Sequence, residues 1–194
     1  MPPPPLILAS TSPYRRQLLN RLHVSFEIIA PHVDESVQPL ETPLERAQRL
    51  ALAKAKAVSV RHAAAAVIGS DQVAVCKGEL LEKPGDPERC QAQLQWLSAA
   101  AATFYTAVAV LHAASGANMQ FVDTTTVYFR ALSAAEIERY IAAEQPFDCA
   151  GGFRSEALGI SLFARVVSDD PSALIGLPLI ALARVLRQLG YELP

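Results

Sequence analysis

The stretch that decides the fold is LILA at positions 6–9, followed directly by STSPYRR at positions 10–16. Four consecutive apolar residues are typical of a buried strand, and hydroxyl residues followed by proline are typical of a helix start. A strand that leads into a helix N-terminus directs backbone N–H groups and the positive end of the helix dipole at one place. Arg15 and Arg16 add donors suited to phosphate. The stretch therefore predicts a strand–loop–helix unit, whose loop is either an anion site or simply a capped helix start.

The rest of the chain alternates strand and helix patterns until a hairpin pattern interrupts them. Apolar spacing and capping residues predict helices over 43–62, 86–97, 133–143 and 177–189. Strand patterns cover 25–30, 67–75, 103–113 and 119–130, the last two separated by the turn residues 115–118. This order predicts an α/β domain with a mixed, twisted sheet flanked by helices.

The composition of the 194 residues restricts the partners of the protein. Half of the chain is apolar (51%) and 19% is charged, which is enough to bury a core and excludes general disorder. The 17 basic and 19 acidic residues give a formal charge of −2. Such a balance provides no overall attraction for a nucleic acid polymer or an anionic membrane surface. Any anion that binds must be held by local charges.

The cysteines and the uncharged segment exclude two further classes. Cys76, Cys90 and Cys149 are three in number, far apart and without a zinc-ligand pattern, so a reducing compartment is expected rather than a disulfide framework. No export signal is visible at the N-terminus. Residues 90–122 contain no Asp, Glu, Lys or Arg, but glutamines and other polar residues interrupt them, so a buried helix and strand are predicted there rather than a membrane span.

Asp71 is the most unusual residue in an otherwise apolar strand pattern. It stands in GSDQV at positions 69–73. Because a buried carboxylate without a partner costs several kcal/mol, Asp71 is expected at an opened strand end, paired with a lysine or bound to a metal. An aspartate in a β-turn is the alternative that these five residues leave open.

Isolated charges elsewhere could complete a site around Asp71. They are Asp34 and Glu35 in one loop, Lys54 on the alanine-rich helix, and Lys83 before a Pro-Gly pair. Taken singly, each is typical of a solvated face or a turn. Together they would supply carboxylates for a hard divalent ion and cations for a polyphosphate.

Six ordered motifs make the chain resemble the Maf family of nucleotide pyrophosphatases. They are LASTSPYRRQLL at 8–19, VDE at 33–35, RLAxxKA at 49–55, GSDQV at 69–73, EKP at 82–84 and CAGGFxSE at 149–156. The resemblance implies a single domain over residues 1–194, with two lobes, a central cleft and the fold of the inosine-triphosphatase (Maf/Ham) superfamily. It also implies a cytoplasmic enzyme, often dimeric, that cleaves a nucleoside triphosphate to the monophosphate and pyrophosphate with a divalent metal.

The resemblance assigns roles to individual residues. Asp71 is implied as the catalytic acid–base residue, which either activates water or holds the metal. Glu35 is implied as the second metal ligand, for Mg²⁺ or Mn²⁺. Four residues are implied to bind the triphosphate: Ser10, Arg15, Lys54 and Lys83.

Three positions imply the substrate. The family branch that cleaves dTTP and UTP typically carries an arginine, a threonine and a glutamine where this chain has Tyr14, Gln72 and Glu156. The residues present here resemble the branch that acts on 7-methyl-GTP, in which an aromatic ring and a carboxylate suit a positively charged methylated guanine. A dTTP/UTP or broad-specificity pyrophosphatase is one alternative. The other is a nucleotide-binding inhibitor of septum formation, for which hydrolysis is incidental.

Overall fold

The computed structural model describes residues 2–194, which form seven strands and five α-helices. The strands are β1 (Leu6–Ala9), β2 (Glu27–Ile29), β3 (Ala66–Cys76), β4 (Glu79–Leu81), β5 (Ala101–His112), β6 (Ala117–Phe129) and β7 (Phe163–Val167). The helices are α1 (Pro13–Asn20), α2 (Pro43–Ser59), α3 (Pro87–Leu97), α4 (Ala134–Glu144) and α5 (Leu179–Gln188). Short 3-10 turns lie at Ala113–Ser115, Leu158–Leu162 and Ala173–Ile175.

The predicted mixed sheet is confirmed. The strand order is β2-β1-β3-β5-β6-β7, with β4 paired to β3. Strand β1 is parallel to both neighbours, so that Leu8 lies opposite Ile28 on β2 and Ile68 on β3. Strand pairs β3/β4 and β6/β7 are antiparallel. The predicted hairpin strands β5 and β6 are neighbours in this order.

The chain divides into two compact units. The first comprises residues 2–72, Tyr105–Asp123 and Asp170–Pro194, and the second comprises Val73–Phe104 and Thr124–Asp169. Each unit is described by itself below.

The first unit buries both faces of β1. Because successive strand residues point to opposite faces, Leu6 and Leu8 pack into one cluster, with leucines of α1 and α5. Ile7 and Ala9 pack into another, with Ala55 and Val58 of α2. A strand covered on both sides explains why the run at 6–9 is apolar without alternation.

The second unit is centred on aromatic residues. The rings of Phe104, Phe129 and Phe163 each meet Phe153 edge to face, with centroids 5.1–5.6 Å apart. Phe153 follows the Gly151–Gly152 pair, so it anchors one end of the glycine loop in the core. Helix α4 begins as predicted with a capping box, in which Ser133 and Glu136 satisfy each other's backbone N–H groups.

Strands β4 and β7 were absent from the sequence prediction. Strand β4 has only three residues, and four of the five residues of β7 are exposed, so neither shows the buried alternation that identifies a strand. Helix α2 ends at Ser59, three residues before the predicted end. Among residues 2–194, no helix combines the length and the apolar character that crossing a membrane requires.

Candidate active site

A buried lysine and two carboxylates form the charged cluster of the first unit. Asp71 lies inside β3 with 7% of its surface exposed, so the predictions of a turn and of an opened strand end were wrong. The expected lysine partner is confirmed, since Lys54 Nζ lies 2.7 Å from Asp71 Oδ1. The same Nζ lies 2.7 Å from Glu35 Oε1. One ammonium group therefore bridges the two predicted metal-ligating carboxylates.

Gly69 allows the lysine to reach Asp71. A Cβ at this position would lie 2.2 Å from the carbonyl oxygen of Ala51 and 2.5 Å from the amide nitrogen of Ala55. These two atoms belong to the turn of α2 that carries Lys54, so the backbone of β3 touches that helix where only glycine fits. The close approach places the lysine beside the strand and explains why Lys54 is buried, with 7% of its surface exposed.

Two arginines of α2 hold the loop that carries Glu35. Arg46 Nη2 donates to the carbonyl oxygen of Glu35 at 3.2 Å, and Arg49 Nη2 donates to that of Ser36 at 3.0 Å. Arg49 also binds both carboxylate oxygens of Glu41, which lowers the pKa of Glu41 and raises that of Arg49. Arg46 lies outside the six motifs, and Arg49 opens the RLAxxKA motif without an implied role. Their three-residue spacing on a predicted helix that follows an acidic loop was the available signal.

Arg15 belongs to the same charged neighbourhood. Its Nε donates to the carbonyl oxygen of Gly176 at 3.0 Å. Burial lowers the pKa of the Arg15 guanidinium, while the negative charges of Asp71 and Glu35 act in the opposite direction. Gly176 has a φ of +127°, and a Cβ there would lie 3.5 Å from Arg15 Nε, so a glycine suits this contact. The structure thus brings together four predicted site residues: Arg15, Glu35, Lys54 and Asp71.

Ser10 and Tyr14 lie where β1 leads into α1, as predicted. Ser10 is 4% exposed, and its Oγ accepts a hydrogen bond from the backbone N–H of Ser12 at 3.1 Å. Ser12 in turn caps α1 by accepting from the N–H of Arg15. Because Ala9 pairs with Gly69 in the sheet, Ser10 follows β1 at the level where Ser70 and Asp71 continue β3. Tyr14 is half-buried in the first turn of α1.

Gln72 is bound within the first unit. Its Nε2 lies 2.9 Å from Thr106 Oγ1, 3.0 Å from the carbonyl oxygen of Ala173 and 3.1 Å from that of Leu174. Ser70 Oγ donates to the carbonyl oxygen of Gly176 at 3.1 Å, so the same turn accepts both side chains. The N–H donors of Gln72 are therefore used by internal acceptors. Thr106 was not predicted as a site residue, although it is a hydroxyl residue within a mostly apolar strand pattern. In the structure it is fully buried, where a hydroxyl group needs a hydrogen-bond partner.

The second unit holds the other two predicted residues. Lys83 is exposed in the segment between β4 and α3, and Glu156 is exposed in the loop after the glycine pair. The backbone of that segment meets the loop, because the N–H of Gly151 donates to the carbonyl oxygen of Glu82 at 3.4 Å. A Cβ at Gly152 would lie 2.9 Å from Cys90 Sγ and 3.7 Å from Pro84. The two motifs that carry Lys83 and Glu156 are thus packed together.

The carboxylate pair fits a hard divalent ion. No group of three or more His, Cys, Asp and Glu residues that could hold a metal occurs among residues 2–194. Glu35 and Asp71 nevertheless converge on one point, the ammonium group of Lys54. Mg²⁺ is commonly bound through one or two carboxylates, with water and substrate phosphates completing its shell. The two convergent carboxylates could bind Mg²⁺ in this way, and the cationic side chains beside them could bind the substrate phosphates.

Comparison with known proteins agrees with the six motifs. The sequence profile described as "Maf-like protein" matches residues 5–189. The chain belongs to the Maf-like protein family. Its relatives in this family include three proteins named "7-methyl-GTP pyrophosphatase". The protein from Xanthomonas campestris pv. campestris (strain 8004) is 53% identical over 191 residues, which cover 98% of this chain and 99% of that protein.

Two further Maf-like relatives carry the same name. The protein from Aromatoleum aromaticum is 52% identical over 189 residues, or 97% of each chain. That from Ralstonia nicotianae is 49% identical over 190 residues, or 98% of each chain. A solved structure described as "Structure of a HAM1 protein from Coxiella burnetii" is 14% identical, with a TM-score of 0.49 over 94% of this chain and 98% of that one.

The relatives confirm the predicted class of enzyme, a nucleoside triphosphate pyrophosphatase. The roles of the individual site residues, the homodimer, the cytoplasmic location and the metal stay predictions.

Proposed function

We propose that this chain hydrolyses 7-methyl-GTP to 7-methyl-GMP and pyrophosphate with the help of a divalent metal. The observation that carries the reaction type is the bridge that the buried Lys54 forms between the buried Asp71 and the exposed Glu35, at 2.7 Å on each side. The reaction needs a carboxylate that orients or deprotonates water and cations that offset the charge of the leaving pyrophosphate. The first unit holds both kinds of group.

Asp71 is proposed to accept the proton of the attacking water. One of its oxygens, Oδ1, accepts a hydrogen bond from Lys54, which orients the carboxylate. Lys54 and Arg15 are proposed to bind phosphate oxygens. Because the Nε of Arg15 is bound to Gly176, the guanidinium plane is oriented before substrate arrives. This preorganisation reduces the entropic cost of binding the substrate.

Glu35 and Asp71 are proposed to hold the metal, Mg²⁺ or Mn²⁺. A bound divalent ion polarises phosphoryl oxygens and neutralises developing charge. The ammonium group of Lys54 lies at the point where these two carboxylates converge, so its positive charge is beside the place where they would hold the ion. Arg46 and Arg49 keep Glu35 in place by binding the backbone of its loop rather than its carboxylate.

The choice of 7-methyl-GTP rests on the names of the relatives and on three side chains. The methylated guanine carries a positive charge, so stacking on Tyr14 is worth about 0.5–2 kcal/mol. Glu156 is proposed to accept hydrogen bonds from the base donors N1 and N2. Gln72 is proposed to act through the shape of the turn at 173–176, since its N–H donors are bound there.

The test is pyrophosphate release from a panel of nucleoside triphosphates with magnesium or manganese. We expect 7-methyl-GTP to be preferred, and Asp71→Asn to lower turnover by about 100-fold or more. Asp169→Asn is the matched control, since Asp169 is an exposed aspartate outside the cluster. A preference for dTTP or UTP would leave the enzyme class standing and overturn the substrate. If no nucleotide were hydrolysed, binding without turnover would favour the septum regulator.

A further inference from the structure

The loop that carries Glu156 is fastened to α4 at two backbone positions. The N–H of Arg154 donates to Tyr140 Oη at 3.0 Å, and the N–H of Leu158 donates to Glu144 Oε1 at 3.1 Å. Tyr140 and Glu144 are four residues apart, so they lie on the same face of the helix. Glu156 stands midway between the two fastened amides and is itself exposed.

The two acceptors on α4 are held firmly. Tyr140 is 3% exposed, and burial raises the pKa of its hydroxyl, so it stays protonated while its oxygen accepts from Arg154. The carboxylate of Glu144 also faces the guanidinium of Arg154, with Oε2 3.9 Å from Nη1. An acidic side chain in the last turn of a helix interacts unfavourably with the negative end of the helix dipole. Its contacts with the loop offset that cost.

The loop between the two fastened amides is tightly folded. The N–H of Ala157 donates to the carbonyl oxygen of Arg154 at 3.3 Å. A Cβ at Gly159 would lie 2.3 Å from that same oxygen, so the chain folds back on Arg154 where no side chain fits. With both ends and the return fixed, the backbone at Glu156 has little freedom, which limits the region that its carboxylate can reach.

We propose that Tyr140 and Glu144 are positioning residues for Glu156 and thereby set the preference for the methylated base. This rests on the proposed function, in which Glu156 accepts from N1 and N2 of the base. Both guanines carry these donors, but only the methylated ring adds a positive charge, which strengthens its attraction to the carboxylate. Neither residue touches substrate in this proposal. Each residue holds one backbone amide of the 154–158 loop. This lowers the entropic cost of ordering the Glu156 carboxylate when the substrate binds.

The experiment measures kcat and KM for 7-methyl-GTP and GTP in Glu144→Ala, Glu144→Gln and Tyr140→Phe. We expect Glu144→Ala to lower the ratio of kcat/KM for the two substrates about fivefold, through KM for 7-methyl-GTP. Glu144→Gln keeps a side-chain oxygen for the N–H of Leu158 and should recover most of the ratio. Tyr140→Phe removes the other acceptor and should lower the ratio in the same direction. Glu138→Ala, an exposed glutamate on α4, is the matched control.

A double substitution separates this proposal from the function on which it rests. If Glu144 acts through Glu156, Glu144→Ala should change the ratio no further in a Glu156→Gln background. An unchanged ratio in Glu156→Gln alone would overturn the role of Glu156 in base recognition. If Glu156→Gln lowered the ratio but Glu144→Ala and Tyr140→Phe did not, the positioning role would be overturned. Equal losses on both substrates in these two variants would show a structural role only and also overturn it.

Discussion

The Asp71 cluster and the Glu156 loop hold their proposed functional carboxylates in opposite ways. Asp71 is buried and bonded through its own carboxylate to Lys54. Glu156 is exposed, its carboxylate accepts from the neighbouring Ser155 Oγ at 3.4 Å, and the backbone on either side of it is hydrogen-bonded to α4. Burying a carboxylate without a charged partner is costly, whereas an exposed carboxylate is solvated by water and needs only to be oriented.

This difference separates chemistry from recognition. In the proposed function, the residue that moves a proton must be oriented toward the attacking water, and a hydrogen-bonded partner in the interior fixes that orientation. A residue that reads a base must leave its acceptors available, so its position is better set through the main chain. We therefore expect substitutions in the cluster to reduce turnover and those around the loop to change selectivity.

Removing the central charge of the cluster should have the largest effect. Lys54→Met leaves the buried Asp71 without its ammonium partner, which should lower the free energy of unfolding by about 3 kcal/mol. It should also lower kcat by about 100-fold. Urea denaturation and steady-state kinetics measure the two effects. Lys54→Arg, which keeps the charge, should be the milder variant, and equal losses in both would show that shape rather than charge matters there.

The contact between β3 and α2 should come next. A methyl group at Gly69 would overlap backbone atoms of Ala51 and Ala55, so Gly69→Ala should cost about 1–3 kcal/mol and separate Lys54 from Asp71. Gly116→Ala is the control, because its surroundings are open and only its positive φ is penalised. Thermal denaturation and turnover should both respond at position 69. Normal turnover in Gly69→Ala would contradict the need for this close approach.

A smaller effect is expected from the arginine that holds the acidic loop. Arg49→Met removes the bonds to Ser36 and Glu41 but no group of the cluster itself. We expect the metal concentration for half-maximal activity to rise several-fold, while kcat at saturating metal changes little. Arg61→Met, an exposed arginine just beyond α2, serves for comparison. An unchanged metal requirement would mean that Lys54 and Arg46 are sufficient to place Glu35.

The smallest effect concerns the start of α4, the helix that fastens the Glu156 loop. Hydrogen bonds from the backbone and hydroxyl of Ser133, together with Arg130, lower the pKa of Glu136 from 4.5 to about 2. Its stabilising contribution is thus present above about pH 4.5 and is lost as the pH falls toward 2. Glu136→Ala should lower Tm at pH 7, and the difference from wild type should shrink on acidification. Thermal melts across that range, with Glu138→Ala for comparison, measure it. A difference that does not depend on pH would contradict the charge-based cap.

Much of the fold could be predicted from local patterns. The apolar run before STSP, the capping box at Ser133 and the alanine-rich stretch after Pro43 mark elements whose signals lie within a few residues. Strand β7 could not be found in this way. It lies at the edge of the sheet with most of its side chains exposed, so its sequence carries no burial pattern.

The site was predictable in its members but not in its geometry. The motifs identified Asp71, Lys54, Glu35 and Arg15, yet Asp71 lies in mid-strand rather than in a turn or at a strand end. No role was predicted for the residues that hold site residues or their loops, namely Arg49 beside the Glu35 loop, Thr106 beside Gln72, and Tyr140 and Glu144 around Glu156. Each makes its bond to a partner distant in the sequence or to a backbone atom, and neither kind of partner is visible in a motif.

The sequence by itself determined the α/β class, most helix and strand positions, the family and the residue types that the chemistry uses, because periodicity, capping and short motifs are local properties. Only the tertiary structure decided that one lysine bridges Asp71 and Glu35, that β3 touches α2 at Gly69, and that α4 fastens the loop on both sides of Glu156. Those contacts join residues that are 14 to 19 positions apart in the sequence, and two of them link a side chain to a backbone amide. Their formation depends on how the elements pack, since a charge is buried only where packing also supplies its partner.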